Sequence, residues 1–206
     1  MRAEGLARQL LGRRAGPGEA LGREAARLGA ACRAMAERFR RGGLLFSFGT
    51  GLAAADAAHV AVEFTHPVIV GKRALPAIAL GAGAACDGGT GTGPHDALAA
   101  RLRPLAGPAD IALGLAADGD DPAVLRCLAA AREAGALTVA LVGGDGTAAR
   151  EAADHVLAVE SADPLIVREI QVTTYHVLWE LVHVFLAEGA LTGAPSAQDL
   201  GGSHDR

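Results

Sequence analysis

The chain has 206 residues, half of them hydrophobic and a fifth charged, and its formal net charge is −4 at neutral pH. This length and composition predict one globular domain with a complete core, or one domain with a short appendage. Because the chain is net negative and has no basic block, direct binding to nucleic acid is not expected. With only 1 Trp, 1 Tyr and 5 Phe, it also lacks an aromatic stacking platform for single-stranded nucleic acid.

Three cysteines, Cys32, Cys86 and Cys127, are an odd number without C-x-x-C spacing, so they predict neither a disulfide framework nor a zinc knuckle. The N-terminus alternates charged and apolar residues and lacks the apolar run of a signal peptide. The longest uncharged apolar stretch, Ala74–Cys86, is too short to span a bilayer. These features predict a cytoplasmic protein without a membrane segment.

The first forty residues have the periodicity of two helices. An apolar stripe from Leu6 to Leu11 and another from Leu21 to Phe39 are separated by a Gly-Pro-Gly break at Gly16–Gly18. The second helix is expected to end at a Gly-Gly pair. Residues 1–42 are therefore interpreted as an N-terminal helical pair.

Five short apolar runs follow, each succeeded by Gly, Asp or Ser and then by an Ala-rich helical stretch. The predicted strands are Leu44–Phe48, Ala77–Leu80, Ile111–Leu115, Leu137–Val142 and His155–Val159. Strands that alternate with helices predict an α/β fold, with a parallel five-stranded sheet covered by helices on both faces. A last long helix is expected from Pro164 to Glu188, so residues 43–188 form the main domain and residues 189–206 a flexible tail.

In such a sheet, ligands bind beyond the carboxyl ends of the strands, where helix N-termini direct their amides at anions. The first of these loops, Gly49–Ala54, matches the G-x-G-x-x-A dinucleotide fingerprint. However, the strand that ends at Leu80 is followed by Gly81–Ala84, so no acidic residue is available there to bind a ribose. No nucleotide cofactor is therefore predicted.

The helix after this loop carries His59 and Glu63, which are four residues apart and share one face. A solvated surface pair would explain them, yet the flanking helix is nearly all apolar. Burying polar groups without partners costs several kcal/mol, so a buried pair predicts further partners.

The stretch from Gly49 to Phe64 resembles the G-N-G-G-S-A-A-D-A-x-H-x-A-x-E-F signature of bacterial sedoheptulose-7-phosphate isomerases, within the sugar isomerase (SIS) superfamily. The resemblance continues through Ala109–Ala134, the turn Val139–Gly146 and the closing helix with Arg168–Gln171 and His176. It implies a three-layer, flavodoxin-like SIS domain. It also implies a homo-oligomer, expected to be a tetramer, with the N-terminal helical pair at the interface and sites between subunits.

The resemblance also implies a reaction, in which an aldose and a ketose interconvert through an enediol. In that family a carboxylate takes a carbon-bound proton and a last-helix histidine is its acid–base partner; the matching residues are Glu63 and His176. Some members bind zinc through the helical His, the Glu, a Gln and the last-helix His, and His59, Glu63 and His176 match three of these. Arg168 stands at the Gln position and cannot ligate a metal, whereas Gln171 lies on nearly the same face and is the candidate substitute. The sequence leaves zinc binding open.

Several residues match the substrate-binding loops of the family. They are Gly49, Thr50, Gly51, Ala53, Asp56, Asp118, Gly119 and Arg168. The phosphate-binding residues depart from the family, because its loop serine is Ala53 here and its S-T-S-G-N-S run is Ala116–Asp121, with three carboxylates and no hydroxyl. A hydrogen bond to a charged group contributes about 1.5–3 kcal/mol, so losing three or four is a gross loss of about 5–12 kcal/mol. A weakened phosphate site is therefore predicted.

Each departure leaves two alternatives open. The Gly-rich insertion Gly88–Gly93, ahead of His95, offers amides and Thr hydroxyls for a replacement anion site, or it is a flexible exposed loop. The carboxylates of Asp118, Asp120 and Asp121 suit a cation or an amine, or they cap the next helix.

Two functions compete at this point. One is a SIS-domain protein that binds a carbohydrate derivative, a sugar or sugar phosphate, and isomerises it with Glu63 and His176. The alternative is a non-catalytic SIS scaffold that acts as a regulatory or adaptor oligomer. The His59, Glu63 and His176 trio favours some chemistry, whereas the Ala/Asp loop favours ligand binding that is lost or redirected.

Overall fold

The computed structural model describes residues 2–81, 93 and 95–192, and these form a five-stranded sheet flanked by helices. The strands are β1 Leu45–Gly49, β2 Ala77–Leu80, β3 Ile111–Ala116, β4 Leu137–Gly143 and β5 His155–Val159. All neighbouring strands pair in parallel, in the order β2-β1-β3-β4-β5. The predicted α/β fold with five parallel strands is confirmed.

Helices cover both faces of the sheet. In the described residues they are α1 Arg2–Gly12, α2 Ala15–Arg23, α3 Ala25–Arg40, α4 Leu52–Thr65, α5 Ala97–Leu102, α6 Pro122–Glu133, α7 Thr147–Ala152 and α8 Pro164–Thr192. One apolar core lies between the sheet and α3, α4 and α8, and a second lies between the sheet and α5, α6 and α7. Successive strand residues supply opposite cores, with Leu45 in the first and Phe46 in the second. The three-layer prediction is therefore confirmed.

The N-terminal region is helical as predicted, but its break lies elsewhere. Gly16–Gly18 lies inside α2, and the chain turns just before α2 and again at Glu24. Pro17 is tolerated because it occupies the first turn of α2, where its missing N–H has no helical partner to lose. Arg14 connects this region to α8, donating to the two carboxylate oxygens of Glu169 at 2.6 and 2.8 Å.

Some predicted segments fall partly outside the described residues. The Gly-rich insertion Gly88–Gly93 is described only at Gly93, and Cys86 also lies outside. Helix α8 runs to Thr192, past its predicted end at Glu188, and residues 193–206 of the predicted tail are outside the described part. Across residues 2–81, 93 and 95–192, no helix combines the length and apolarity required to cross a membrane.

Two glycines at the end of β1 direct α4 to the site. At Gly49, an added Cβ would lie 2.8 Å from the carbonyl oxygen of Leu115, so a side chain has no room between β1 and β3. Gly51, the N-cap of α4, has a φ of +54°, a left-handed conformation that favours glycine. Helix α4 then packs beside α8 on one face of the sheet, which brings the polar residues of the two helices together.

Candidate functional site

Three polar side chains converge where α4 meets α8. His59 and Glu63 lie one turn apart on α4, and Nε2 of His59 is 3.0 Å from Oε1 of Glu63. His176 on α8 places its Nε2 3.8 Å from the same carboxylate oxygen. One potential ligand atom from each residue lies within 4.8 Å of the others. A carboxylate beside two imidazoles has the composition of an acid–base site, and also of a zinc site with one open position.

The trio can be reached from solvent. The side chains of His59 and His176 are 44% and 43% exposed, whereas that of Glu63 is 17% exposed. His59 and Glu63 therefore contact each other, and Glu63 also contacts His176, which a simple surface pair does not explain. A mostly buried carboxylate between two accessible imidazoles suits proton transfer to and from a small ligand.

A buried tyrosine adjoins the trio. Tyr175 is only 1% exposed, and its hydroxyl oxygen lies 3.0 Å from Nδ1 of His59. Burial raises the pKa of the Tyr175 hydroxyl to about 12, and the negative charge of Asp56 acts in the same direction. Tyr175 is therefore a neutral phenol at physiological pH, and its hydroxyl can donate or accept a hydrogen bond.

Arg168, which stands at the family's Gln position, is bound to Asp56. Its Nε and Nη2 donate to the two carboxylate oxygens of Asp56 at 2.6 and 3.0 Å. Asp56 is buried, and its hydrogen bond raises the pKa of the Arg168 guanidinium. Because the carboxylate compensates the guanidinium charge, Arg168 does not present an unpaired positive charge to the trio.

Gln171, the candidate substitute ligand, is attached to the sheet. Its side chain is buried, and Nε2 donates to the carbonyl oxygens of Ala116 and Leu141 at 2.7 and 3.0 Å. These contacts hold the amide at the carboxyl ends of β3 and β4. A role for Gln171 in a metal site remains a prediction.

A small cavity of about 80 Å³ lies between the first loop, the end of β3 and the start of α8. It is lined by Leu52, Ala53, Asp56, Ala117, Pro164, Leu165, Arg168 and Gln171. The structure thus brings three of the residues predicted to bind substrate, Ala53, Asp56 and Arg168, to one cavity. Ala53 is buried and contributes a methyl group where the family has a hydroxyl.

The acidic loop caps the helix that follows it. Oδ1 of Asp121 accepts from two backbone N–H groups in the first turn of α6, at 3.0 and 3.1 Å. Its Oδ2 accepts from the hydroxyl of Thr50, so this predicted substrate-binding hydroxyl already has a partner. The capping alternative is confirmed for Asp121, whereas Asp118 and Asp120 are exposed on either side of Gly119.

Two contacts of the site were not predicted from the sequence: Tyr175 with His59, and Arg168 with Asp56. The spacing contained a signal for both, because Asp56, His59 and Glu63 fall at i, i+3 and i+7 along α4, while Arg168 and Tyr175 are seven residues apart on α8. Spacing defines the faces of each helix. It does not define which residues meet when two distant helices pack.

Comparison with known proteins agrees with this fold. The model of the SIS domain family matches residues 18–143. The chain therefore belongs to the SIS-domain family. Among its relatives, a phosphoheptose isomerase of Solidesulfovibrio magneticus is 36% identical over 172 residues, which cover 82% of this chain and 84% of that protein. A phosphoheptose isomerase of Chlorobaculum parvum is 41% identical over 155 residues, covering 72% of this chain and 73% of that protein.

Solved structures are similar in fold. A phosphoheptose isomerase from Francisella tularensis superimposes with a TM-score of 0.78, covering 89% of this chain and 99% of that one. The sequence identity across this superposition is 20%, so the likeness concerns the fold. The flavodoxin-like SIS architecture implied by the sequence is therefore confirmed.

Proposed function

We propose that this protein is an aldose–ketose isomerase acting on a sugar or sugar phosphate of the sedoheptulose 7-phosphate type. The observation that carries the proposal is the convergence of His59, Glu63 and His176 from two helices within 4.8 Å. Membership of the SIS-domain family and similarity to phosphoheptose isomerases over most of the chain support it.

In the proposed reaction, Glu63 takes the proton from C1 of the ketose, next to the C2 carbonyl. The C–H electron pair forms the C1–C2 double bond, and His176 donates a proton to the carbonyl oxygen, which gives an enediol. Glu63 then returns its proton to C2 while His176 takes the proton of the C1 hydroxyl, which leaves an aldehyde. Both side chains end in their starting states, so the pair turns over without a further reactant.

The trio also fits a divalent metal such as zinc. Two imidazoles and one carboxylate are a common donor set for a catalytic zinc ion with one position open to substrate, and His59, Glu63 and His176 would hold it. When bound there, the ion would polarise the substrate carbonyl. Pairing of Arg168 with Asp56 supports this assignment, because it compensates a positive charge that would oppose a cation.

We infer that the sugar lies over the first loop, near the cavity beside Arg168. Gly51 is exposed there and caps α4 without a side-chain hydrogen bond, so the N-terminus of α4 favours an anion. The hydroxyls of the family's phosphate site are missing, however, and Asp118 adds negative charge. The phosphate is therefore expected to contribute less to binding than in the family.

We further infer a homo-oligomer, expected to be a tetramer with residues 1–42 at its interface. Large apolar side chains are exposed on the described chain, including Leu11 at 70% and Val68 at 82%. Exposed apolar patches of this kind favour association with another protein surface. Light scattering coupled to size-exclusion chromatography tests the mass of the oligomer. The cytoplasmic location also remains a prediction.

The experiment is conversion of sedoheptulose 7-phosphate by the purified protein, with and without zinc. Glu63→Gln is expected to slow conversion by at least about 100-fold, whereas the matched control Glu180→Gln, an exposed residue one turn beyond His176 on α8, is expected to leave it unchanged. Absence of conversion by the wild type in both metal states would favour the non-catalytic scaffold. Conversion by Glu63→Gln at the wild-type rate would exclude Glu63 as the base.

A further inference from the structure

Tyr175 contacts the trio but has no part in the proposed proton transfers. It precedes His176 on α8, is almost completely buried, and packs its ring against that of His59 at a centroid distance of 5.5 Å and an angle of 73°. In the described part of the chain its hydroxyl makes one hydrogen bond, 3.0 Å long, to Nδ1 of His59. The hydroxyl therefore acts on the ring nitrogen that faces away from Glu63.

In the neutral imidazole of His59, the hydrogen-bond partners Glu63 and Tyr175 show which ring nitrogen carries the proton. Nε2 of His59 lies 3.0 Å from a carboxylate oxygen of Glu63, and a carboxylate only accepts hydrogen bonds. Nε2 must therefore carry the proton when no cation is bound. Nδ1 then has a free lone pair, so the Tyr175 hydroxyl donates to it.

We propose that Tyr175 is a positioning residue, whose hydroxyl holds the His59 imidazole with Nε2 directed at Glu63 and His176. A cation held at Nε2 requires the proton on Nδ1, and the same hydroxyl then accepts from it. A hydroxyl is suited to this position because it serves either state without movement of the ring.

This role concerns the site of the proposed function and rests on it for its catalytic meaning. The orientation and protonation of His59 can nevertheless be measured without turnover. A purely structural Tyr175 would fill space between α4 and α8, and Tyr175→Phe would then alter stability without changing His59. The two roles are distinguished by whether the hydrogen bonding of the His59 imidazole changes in Tyr175→Phe.

The first measurement is the imidazole ¹⁵N–¹H spectrum of metal-free protein at mildly alkaline pH, with the His59 signals assigned by their loss in His59→Gln. The wild type is expected to show His59 protonated at Nε2. In Tyr175→Phe, which keeps the aromatic ring, the ¹⁵N signal of Nδ1 is expected to shift, because the lone pair of Nδ1 loses its hydrogen-bond donor. A wild-type His59 that already interconverts between tautomers would overturn the proposal, whether or not the variant folds.

The second measurement is binding of Co²⁺, followed by its visible absorption. Loss of a group that orients a ligating histidine lowers metal affinity by about 10- to 100-fold, so this fall is expected for Tyr175→Phe. Thr174→Val is the matched control, because it removes another buried hydroxyl of α8, one that donates to the carbonyl of Ile170 at 2.7 Å, and should bind Co²⁺ as the wild type does.

Equal affinity of Tyr175→Phe and wild type for Co²⁺ would overturn the proposal, as would an unchanged His59 spectrum in that variant. If no form of the protein binds Co²⁺, the metal assignment within the proposed function fails. The spectrum of the metal-free protein still decides the role of Tyr175 in that case.

Discussion

Replacing Asp121 by alanine tests how the acidic loop is built. The substitution removes the N-cap of α6, two hydrogen bonds of 3.0 and 3.1 Å, together with the acceptor of the Thr50 hydroxyl. Loss of an N-cap side chain costs about 0.5–2 kcal/mol, and the additional loss of the Thr50 contact places the expected cost at about 1–2 kcal/mol. For a domain of this size, 1 kcal/mol shifts Tm by about 2–4 °C, so Tm should fall by about 2–8 °C.

The assay is thermal unfolding followed by circular dichroism at one fixed protein concentration. Asp121→Ser keeps a capping oxygen and is expected to recover most of the decrease in Tm. Asp118→Ala, at an exposed position that makes no cap, is expected to leave Tm unchanged. An Asp121→Ala protein as stable as the wild type would refute the capping assignment. It would return attention to a cation or amine site at the three carboxylates.

Three further predictions concern the site and the core. Glu63→Gln should lower kcat by about 10²- to 10⁴-fold in a sugar isomerisation assay, because the proton acceptor is lost while the side-chain shape is kept. Ala53→Ser combined with Asp118→Ser should lower the Kd for sedoheptulose 7-phosphate by about tenfold or more in calorimetry, with no gain for the unphosphorylated sugar. Burial raises the pKa of the Cys32 and Cys127 thiols from an ordinary value of about 9 to about 12. Since the thiols of the unfolded chain ionise first as pH rises, Tm should decrease as the pH is raised from about 9 to 12. Neither thiol should be alkylated in native protein at neutral pH.

The strands could be predicted from the sequence because a sheet covered on both faces gives continuous apolar runs. The bounds of Ala77–Leu80 and His155–Val159 agree with the structure. The third and fourth strands each extend one residue further than predicted, and the first strand is shifted by one residue at both ends. The N-terminal break was predicted wrongly at Gly16–Gly18. Gly and Pro there are compatible with a first helical turn, so composition alone could not distinguish a break from a helix start.

The trio could be predicted because two of its three residues lie close together in the sequence. His59 and Glu63 share a face of α4 through their spacing, and His176 follows from the family resemblance. The partner of Arg168 could not be predicted in this way, since it depends on how α8 lies against α4. An unpaired guanidinium opposes a cation, whereas one bound to Asp56 does not, so the inferred charge of the site changes once this contact is known.

The proposed reacting groups and the positions that match the family's phosphate site lie on different kinds of structure, so a change in one set need not disturb the other. Glu63 and His176 project from two long packed helices, while Ala53 and Asp118 belong to a helix start and a loop at the strand ends. Binding energy from a remote phosphate contributes to kcat/KM, but the proton transfers occur at C1 and C2. A protein that had lost its function altogether would have no physical reason to retain the trio while losing the hydroxyls. Retention of the trio beside an acidic loop is therefore better explained by a changed preference for the far end of the sugar than by loss of the reaction.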